Sequence, residues 1–367
     1  MTRLENRYVN IDKEELLLAA MPLTTQRISG SSPEVKVYEG KLAGLFGSKH
    51  AVAVNSGTVS LYCAMHALGI GPGDEVIMAP TAVVMSALPV ALLGAKTVFA
   101  DTTLEAGFGL DANSVEKYMT KNTKAVVSVP LWGYPVPMDD LSQLCKSRGV
   151  HLIEDIAQAH GTLWKEQYLG TFGSAGCMST HERKLITTGE GGVVLTNDKD
   201  LAEKVTTLRR YGLHSNNVGT HLGLNFKLPA VSAAIGQSQV AKLEKKIEQR
   251  NSIASILRSG LSHLDWVREI PVPIQGRANY YGMVLQVEKR IDVKKLELHL
   301  ESRNVISDTW RYGYKPLWEY PLFTSGKTDC PNAVALIPSV VTIPCHEGMS
   351  IENQQQVVEA VTSYKVQ

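Results

Sequence analysis

Short runs of β-branched and other apolar residues recur through the first half of the chain, and helical apolar spacing separates most of them. The strand-like runs are HAVAV at about 50–54, DEVIM, KTVFAD, TKAVVSV and VHLIED, followed by AGCMST and GGVVLTN. Strands and helices that alternate at this spacing are typical of a parallel sheet covered by helices on both faces. The pattern therefore predicts an α/β domain.

Beyond Asp198 the spacing becomes helical, and past about residue 255 it changes again. KDLAEKVTTLRRYG leads through a loop to a long amphipathic pattern that starts at LPAVSAAIGQ and carries charge on its outer side. The tail holds a strand-like run, YYGMVLQVE, and two helical patterns, DVKKLELHLESRNV and NQQQVVEAVTSYK. We therefore expect a large domain at residues 1–250, including an N-terminal arm, and a small α+β domain at residues 251–367.

Length and charge narrow the class of protein. The chain has 367 residues, which suits one large domain and a smaller one, and its 44% hydrophobic and 20% charged residues are ordinary for a soluble globular protein. A net charge of +1 indicates no face for a polyanion, so nucleic acid is not an expected partner. The sequence contains no apolar run of roughly 18 residues and no signal-peptide pattern at its charged start. We expect a cytoplasmic protein without a membrane partner.

The cysteines carry little functional signal. They stand at positions 63, 145, 177, 330 and 345, odd in number and without a CxxC pair. This scatter argues against a disulfide framework and against a structural zinc site. We expect free thiols and no metal.

In an open parallel sheet, ligands bind beyond the carboxyl ends of the strands. The first strand is followed by Asn55-Ser56-Gly57-Thr58, which leads directly into a helix. Free amides and the helix dipole at such a start favour an anion, and glycine permits close backbone approach. A plain N-cap with a turn glycine is the alternative. The stretch is neither a Walker loop nor a GxGxxG dinucleotide pattern, so a plain dinucleotide oxidoreductase is disfavoured.

Two further strand ends carry ionisable residues. VHLIED ends at Asp155, with Gln158 and His160 close behind it. A carboxylate there needs a positive partner, which a protonated ring nitrogen of a ligand or an ordinary salt bridge can supply. AGCM is followed by Ser179 and, five residues later, by Lys184, either a surface lysine or an amine that reacts with an aldehyde. An anion cradle, a buried Asp and a strand-end Lys together are what pyridoxal phosphate requires, so Lys184 is interpreted as the residue that binds its aldehyde.

With these blocks in view, the sequence resembles the DegT/DnrJ/EryC1/StrS family of sugar aminotransferases, a branch of the fold-type I pyridoxal phosphate enzymes. The resemblance covers nearly the whole chain and is most specific in STHERKLITTGEGGVVLTND and LIEDIAQAHG. Further blocks are NSGTVSLYCAMHALGIGPGDEVI, GAKTVFAD, LWGYPVPMDDL, LGLNFKLPAVSAAIGQSQ and IPCHEGMS. It implies an aspartate-aminotransferase-like fold, with a large three-layer α/β domain, a mostly parallel sheet and a smaller C-terminal α+β domain.

The resemblance also implies roles for single residues. Lys184 and Asp155 match the two catalytic positions, the aldehyde-binding lysine and the partner of the pyridine nitrogen. Asn225 matches an asparagine that reaches the phosphate of the neighbouring subunit, so a homodimer with shared active sites is implied. The other implied contacts are Ser56, Gly57, Thr58 and Ser179 at the phosphate, Ala157 under one ring face and Gln158 near the ring hydroxyl.

One position departs from the family pattern. Members often carry an aromatic side chain two residues after the position of Thr81, where it stacks on the cofactor, and here Val83 stands there. An aliphatic side chain still packs against the ring but loses a stacking contribution on the order of 1 kcal/mol. A subset of the family that dehydrates its sugar has histidine in place of the lysine, and the presence of Lys184 argues against that activity.

The implied reaction moves an amino group from glutamate or glutamine to a keto sugar in amino-sugar or antibiotic biosynthesis. The acceptor is a nucleotide-linked sugar, a cyclitol or an aminoglycoside precursor. We expect it near the loop 214–221 and the aromatic stretch 310–318, while Arg209, Arg210 or Arg311 are candidates for a donor carboxylate. Two alternatives stay open: another pyridoxal phosphate reaction such as dehydration or epimerisation, and a non-catalytic regulator that binds the cofactor.

Overall fold

A seven-stranded sheet lies at the centre of the molecule in the computed structural model, which describes residues 3–103, 107–213, 219 and 221–366. The strands in chain order are β1 (His50–Val54), β2 (Glu75–Met78), β3 (Lys96–Phe99), β4 (Thr123–Ser128), β5 (His151–Asp155), β6 (Leu163–Trp164), β7 (Gln167–Tyr168), β8 (Ala175–Ser179), β9 (Gly192–Thr196), β10 (Val267–Glu269), β11 (Gly276–Arg277), β12 (Met283–Val287) and β13 (Val340–Ile343).

Helices connect and cover these strands. In chain order they are α1 (Lys13–Thr24), α2 (Pro33–Phe46), α3 (Gly57–Ala67), α4 (Val84–Leu92), α5 (Ala112–Tyr118), α6 (Asp139–Arg148), α7 (Lys199–Leu208), α8 (Ala230–Leu261), α9 (Val293–Ser302), α10 (Asp308–Arg311), α11 (Pro331–Leu336) and α12 (Ile351–Thr362). Short 3₁₀ segments lie at Leu131–Gly133, Leu317–Glu319, Pro321–Gly326 and Ile337–Ser339.

The central sheet has the strand order β1-β9-β8-β5-β4-β2-β3. All neighbours are parallel except β9, which runs antiparallel to both β1 and β8. Every residue of β8 but the last, and every residue of β9, is buried. Because successive side chains of a strand point to opposite faces, the sheet is covered on both sides. This confirms the predicted α/β fold with a mostly parallel sheet.

The position of β9 brings two strand ends together. Gly192, its first residue, is in register with Val54 of β1 on one side and with Ser179 of β8 on the other. A Cβ atom added at Gly192 would lie 2.1 Å from the carbonyl oxygen of Ser56. The carboxyl ends of β1 and β8 therefore meet at one edge of the sheet, close to the start of α3.

A second sheet is built from the C-terminal part of the chain. Strands β10, β12 and β13 form an antiparallel sheet in that order, and α9 packs against both β13 and α12. This arrangement is the α+β tail that the sequence predicts. The division of the chain near residue 250 stays a prediction, and α8, whose 32 residues extend about 48 Å, passes that position without a break.

The first described residues pack on this C-terminal part. Leu4 is buried and forms a parallel bridge with Val305, and its backbone N–H donates to Asn304 O at 2.7 Å. The helix α1 then packs along α8. Its N-cap Asp12 and its third residue, Glu15, form a capping box that satisfies the start of the helix.

Three other sequence features can be compared with the structure. All five cysteines are buried and free, as predicted. Within the described ranges, no three His, Cys, Asp or Glu side chains are grouped so as to hold a metal ion. No helix among the described residues combines the length and apolar character needed to cross a bilayer.

Candidate active site

A cavity of about 470 Å³ opens where the carboxyl ends of β1, β5 and β8 meet. Its wall brings together nine of the ten residues that the sequence proposed for cofactor binding. They are Ser56, Gly57, Thr58, Val83, Asp155, Ala157, Gln158, Ser179 and Lys184. Residues that are far apart in sequence therefore meet in one cavity.

The end of β1 supplies a helix N-terminus to this cavity. Ser56 is the N-cap of α3, and its Oγ accepts a hydrogen bond from Val59 N at 3.2 Å. Since the first N–H groups of a helix have no acceptor within it, those of Gly57 and Thr58 are left for another partner. An added Cβ at Gly57 would lie 2.5 Å from the Cβ of Ser179. The glycine is thus needed for close packing of the two turns.

The end of β5 supplies a carboxylate. Asp155 is buried, with Oδ2 accepting from Ser86 Oγ at 2.5 Å and Oδ1 accepting from Ala157 N at 3.1 Å. Burial raises the pKa of Asp155, and the two hydrogen bonds and the charge of Lys184 only partly oppose that shift. Because both hydrogen-bond donors are uncharged, the site favours a ligand that brings a positive charge to this carboxylate.

The loop after β8 supplies the amine. Lys184 Nζ donates to Tyr281 Oη at 3.5 Å and lies 4.6 Å from the centre of the Tyr281 ring. Its backbone N–H donates to His181 O at 2.9 Å, which closes a turn. A second link tightens the loop, because Thr188 N donates to Thr180 O at 2.8 Å. The amine therefore projects from a well-braced loop.

A buried polar chain supports that loop from behind. Lys246 Nζ, on α8, donates to Leu185 O at 2.7 Å and to Gln239 Oε1 at 2.6 Å. Gln239 Nε2 in turn donates to Glu15 Oε1 at 2.7 Å. The loop of Lys184 is thus connected through α8 to α1. Sequence reasoning did not identify Lys246 or Gln239, since both lie within an amphipathic helical pattern.

The two residues that follow Asp155 differ in their placement. Gln158 lines the cavity, and its Oε1 accepts from Trp132 N at 2.6 Å. His160 is buried and is not among the residues of the described cavity wall. Its Nδ1 accepts a hydrogen bond from Ile186 N at 3.3 Å. Burial lowers the pKa of His160 to about 3, so the ring is neutral at physiological pH. Of the two, Gln158 is the residue placed to meet a ligand.

The wall at Val83 is aliphatic at the position where many relatives place an aromatic side chain. Val83 is the N-cap residue of α4 and lines the cavity beside Val84 and Met85. Aromatic side chains reach the cavity from other elements, among them Trp132 and Tyr314. Whether Val83 packs on a cofactor ring stays a prediction.

The C-terminal part of the chain closes the cavity. Its residues in the wall are Tyr281, Asp308, Tyr312, Tyr314, Lys315 and Tyr320. Three of them fall in the aromatic stretch 310–318 that the sequence proposed near the substrate. Within the proposed loop 214–221, residues 214–218 and 220 lie outside the described residues.

Asn225 and the three candidate arginines lie elsewhere. Asn225 is exposed, does not belong to the described wall of the cavity, and accepts a hydrogen bond from Lys227 Nζ at 2.6 Å. Arg209, Arg210 and Arg311 are likewise absent from the described wall. The arginine that lines the described wall is Arg183, next to Lys184 in the sequence.

Comparisons with known proteins agree with this geometry. The model of the DegT/DnrJ/EryC1/StrS aminotransferase family matches residues 9–362. A GDP-perosamine synthase of Escherichia coli O157:H7 is 30% identical, over 92% of each chain. A dTDP-3-amino-3,4,6-trideoxy-alpha-D-glucose transaminase of Streptomyces venezuelae is 31% identical, over 90% of this chain and 87% of its own. The crystal structure of the aminotransferase TlmJ from Streptoalloteichus hindustanus superposes with a TM-score of 0.91 at 27% identity, covering 98% of this chain and 97% of the other.

Proposed function

Because the chain belongs to the DegT/DnrJ/EryC1/StrS aminotransferase family and is a pyridoxal-phosphate-dependent sugar aminotransferase, we propose that its acceptor is the keto group of a nucleotide-linked sugar. We further propose glutamate or glutamine as the amino donor, and Lys184 and Asp155 as the catalytic residues. Two relatives support the acceptor class, since their names specify a GDP-linked and a dTDP-linked sugar. The observation that carries the proposal is that Lys184 and Asp155 line one cavity at the carboxyl edge of the sheet.

The cavity fits the cofactor on three observations. The first N–H groups of α3 have no acceptor within the helix, and Gly57 brings them close to the Ser179 side chain. Free helix N–H groups beside a serine hydroxyl suit a phosphate. Asp155 is a buried carboxylate whose hydrogen-bond donors are uncharged, which suits a protonated ring nitrogen. Lys184 presents an amine to the same cavity. Ser56, Gly57, Thr58 and Ser179 would hold the phosphate, and Val83, Ala157 and Gln158 would contact the ring.

The reaction assigns one task to each catalytic residue. When bound, the cofactor supplies an aldehyde that reacts with amines and a ring that stabilises negative charge on the neighbouring carbon. Lys184 Nζ would hold that aldehyde until the amine of the donor displaces it, and the freed lysine amine would then take and return the proton at the substrate carbon that loses or gains nitrogen. Asp155 would hold the proton on the ring nitrogen, since its buried carboxylate interacts strongly with a positive partner. Tyr281 would orient the Lys184 amine in the cavity through its hydroxyl, which accepts from Nζ at 3.5 Å.

A homodimer with shared sites completes the proposal. Asn225 lies on the surface and closely follows two exposed side chains in the sequence, Leu222 and Leu224, which are 66% and 54% exposed. Helix α1 adds Leu16, Leu17, Met21 and Leu23, each more than half exposed. Apolar patches of this kind mark interaction surfaces, and a self-complementary dimer is the common way to cover one. In such a dimer Asn225 would reach the phosphate in the partner's cavity.

The test is a half-reaction of the purified, cofactor-loaded enzyme. Glutamate or glutamine alone should convert the aldehyde form of the cofactor to its amine form, seen as a change in the absorption spectrum. A nucleotide-linked keto sugar should then restore the aldehyde form, and borohydride should fix the cofactor to the peptide that contains Lys184. If no amino donor gives the first conversion, dehydration or epimerisation becomes the better assignment. Fixation to another peptide would contradict the role of Lys184.

A further inference from the structure

Arg183 is a partly buried cation in the wall of the catalytic cavity, and one of its buried N–H donors has no hydrogen bond among the described residues. Its side chain is only 14% exposed and lines the same cavity as Lys184. One ion pair reaches it, from Nη2 to Asp308 Oδ1, and that distance is long, at 3.5 Å. Its Nε is buried and makes no hydrogen bond within the described ranges. The guanidinium also lies over the Tyr312 ring, with Cζ 5.5 Å from the ring centre.

This arrangement is costly unless a ligand improves it. A guanidinium has five N–H donors, and buried donors in folded proteins are nearly always paired. Asp308 satisfies Arg183 poorly, because it also accepts from Asn6 Nδ2 at 3.4 Å and is itself buried. Burial raises the pKa of Asp308, while the charge of Arg183 and the hydrogen bond from Asn6 oppose that rise. A ligand with acceptor oxygens at Arg183 would supply the hydrogen bond that its Nε–H lacks among the described residues.

The other basic side chains of the described wall are less suited to an anionic substrate. Lys184 is committed to the cofactor, and His181 Nε2 lies 3.7 Å from Glu190. Lys315 Nζ lies 4.6 Å from the centre of the Tyr320 ring. Arg311 is outside the wall and is paired with Glu5 at 2.7 Å. Arg183 therefore lines the cavity, has a planar guanidinium group and keeps one buried N–H without a hydrogen bond among the described residues.

We propose that Arg183 binds the α-carboxylate of the amino-acid donor, an inference that rests on the proposed transamination. Every α-amino acid carries this carboxylate on the carbon whose amine must react beside Lys184. Arg183 and Lys184 are adjacent in sequence and line one cavity, so a carboxylate held by Arg183 places the α-carbon close to Lys184 Nζ. Guanidinium matches a carboxylate by two parallel hydrogen bonds. Asp308 holds Arg183 in place and competes with the donor for it.

The first experiment measures binding without reaction. Glutarate, which is glutamate without its amine, is titrated calorimetrically into the cofactor-loaded enzyme. Arg183→Gln should weaken glutarate binding about tenfold or more, and Arg183→Lys should lose less because it keeps the charge. Arg258→Gln is the matched control, an arginine paired with Glu269 at 2.6 Å outside the described wall, and it should leave the affinity unchanged. Equal affinity in wild type and Arg183→Gln, or no measurable binding by wild type, would overturn the proposal.

Separate half-reactions identify the substrate that Arg183 serves. Arg183→Gln should raise the donor concentration needed for half-maximal conversion about tenfold, while conversion of the amine form by a keto sugar changes little. If the keto-sugar step alone is impaired, the guanidinium binds an anionic group of the acceptor and the donor assignment is wrong. If wild type binds glutarate through Arg183 but no donor reacts, the proposed function fails while the carboxylate site stands.

A second variant tests the role of Arg183 independently, in case Arg183→Gln does not fold correctly. Asp308→Asn removes the competing charge but keeps a similar shape and an amide that can still contact Asn6. Glutarate binding should then become several-fold tighter, because Arg183 loses its rival partner. Combining Asp308→Asn with Arg183→Gln should abolish that gain. Weaker binding in Asp308→Asn, with an unchanged melting temperature, would contradict the role of Arg183.

Discussion

Lys246 Nζ donates a 2.7 Å hydrogen bond to the carbonyl oxygen of Leu185, the residue immediately after Lys184. A buried amine on α8 thus supports the backbone that carries the reactive amine. The two lysines differ in surroundings, since Lys184 faces the cavity and Lys246 is enclosed by protein. Loss of Lys246 should therefore affect the loop as well as the stability of the fold.

The titration of Lys246 gives a prediction with a definite sign. Burial lowers its pKa from the usual 10.5 to about 8, so the folded protein releases this proton while the unfolded chain still holds it. Between those pH values the unfolded state binds more protons, and the free energy of unfolding should rise with pH by at most about 1.4 kcal/mol per unit. Urea unfolding of wild type and Lys246→Met measures this free energy at a series of pH values. The value for wild type minus the value for Lys246→Met should increase with pH. Lys245→Met, at the exposed neighbouring position, should show no such trend.

The contact of Gly57 with Ser179 predicts a steric effect at the phosphate site. In Gly57→Ala the new Cβ would lie 2.5 Å from the Ser179 Cβ, so the two turns must separate. We expect weaker cofactor binding and a loss of stability of about 1–3 kcal/mol. Gly44→Ala is the control, because Gly44 is an exposed residue within α2 with nothing near its added Cβ, and there alanine should stabilise slightly.

Ser179→Gly can test the cause of that effect. In the double variant the nearest clashing atom is absent, although the Ser179 Cα, 2.9 Å from the added Cβ, remains. Thermal melting should then recover part of the lost stability. No recovery at all would mean that the Cβ contact is not what makes glycine necessary at position 57.

Asp155→Asn should separate cofactor binding from catalysis. The amide preserves the size of the side chain and leaves Lys184 free to bind the aldehyde, but it no longer compensates a protonated ring nitrogen. We expect the donor half-reaction to slow by about 10²-fold or more, as for removal of a strong electrostatic interaction in other enzymes. Stopped-flow absorption measures the rate, and borohydride fixation checks that the cofactor is still bound. A wild-type rate would show that Asp155 does not act on the ring.

Mixed dimers can test whether the active sites are shared. Lys184→Ala and Asn225→Ala should each be strongly impaired as homodimers. If Asn225 acts across the interface, a mixed dimer contains one site with both residues intact and one with neither. Unfolding and refolding the two variants together should therefore yield more activity than either variant alone. Activity no higher than that of the parents would place both residues in the same subunit's site.

Local sequence patterns predicted the central fold well. The strand HAVAV matches β1, and Gly149, a residue type that favours helix ends, closes α6 in the left-handed conformation with φ of 63°. The antiparallel direction of β9 was not predicted, because an apolar run contains no information about the direction of its partner. The two-residue strands β6, β7 and β11 were also missed, since they are too short to show a period.

The cavity was predicted on the side formed by strand ends and in the stretch 310–318, which supplies three residues of its described wall. Asp155 and Lys184 follow strands, where a residue type and its position carry chemical meaning. Tyr281 and Asp308 come from a part of the chain about a hundred residues later, and no local pattern indicates that they face Lys184. Arg183 was visible in the sequence, but its burial and its long contact with Asp308 appear only in three dimensions.

The hydrogen bonds that connect Lys246 through Gln239 to Glu15 have a fixed donor-to-acceptor direction. An ammonium group only donates and a carboxylate only accepts, so the amide between them has a single allowed orientation: its oxygen toward Lys246 and its nitrogen toward Glu15. Glutamate at position 239 would set one acceptor against another, and leucine would remove the hydrogen bonds that Gln239 makes to both charged neighbours. Interchanging Lys246 and Glu15 would require the amide to turn end for end.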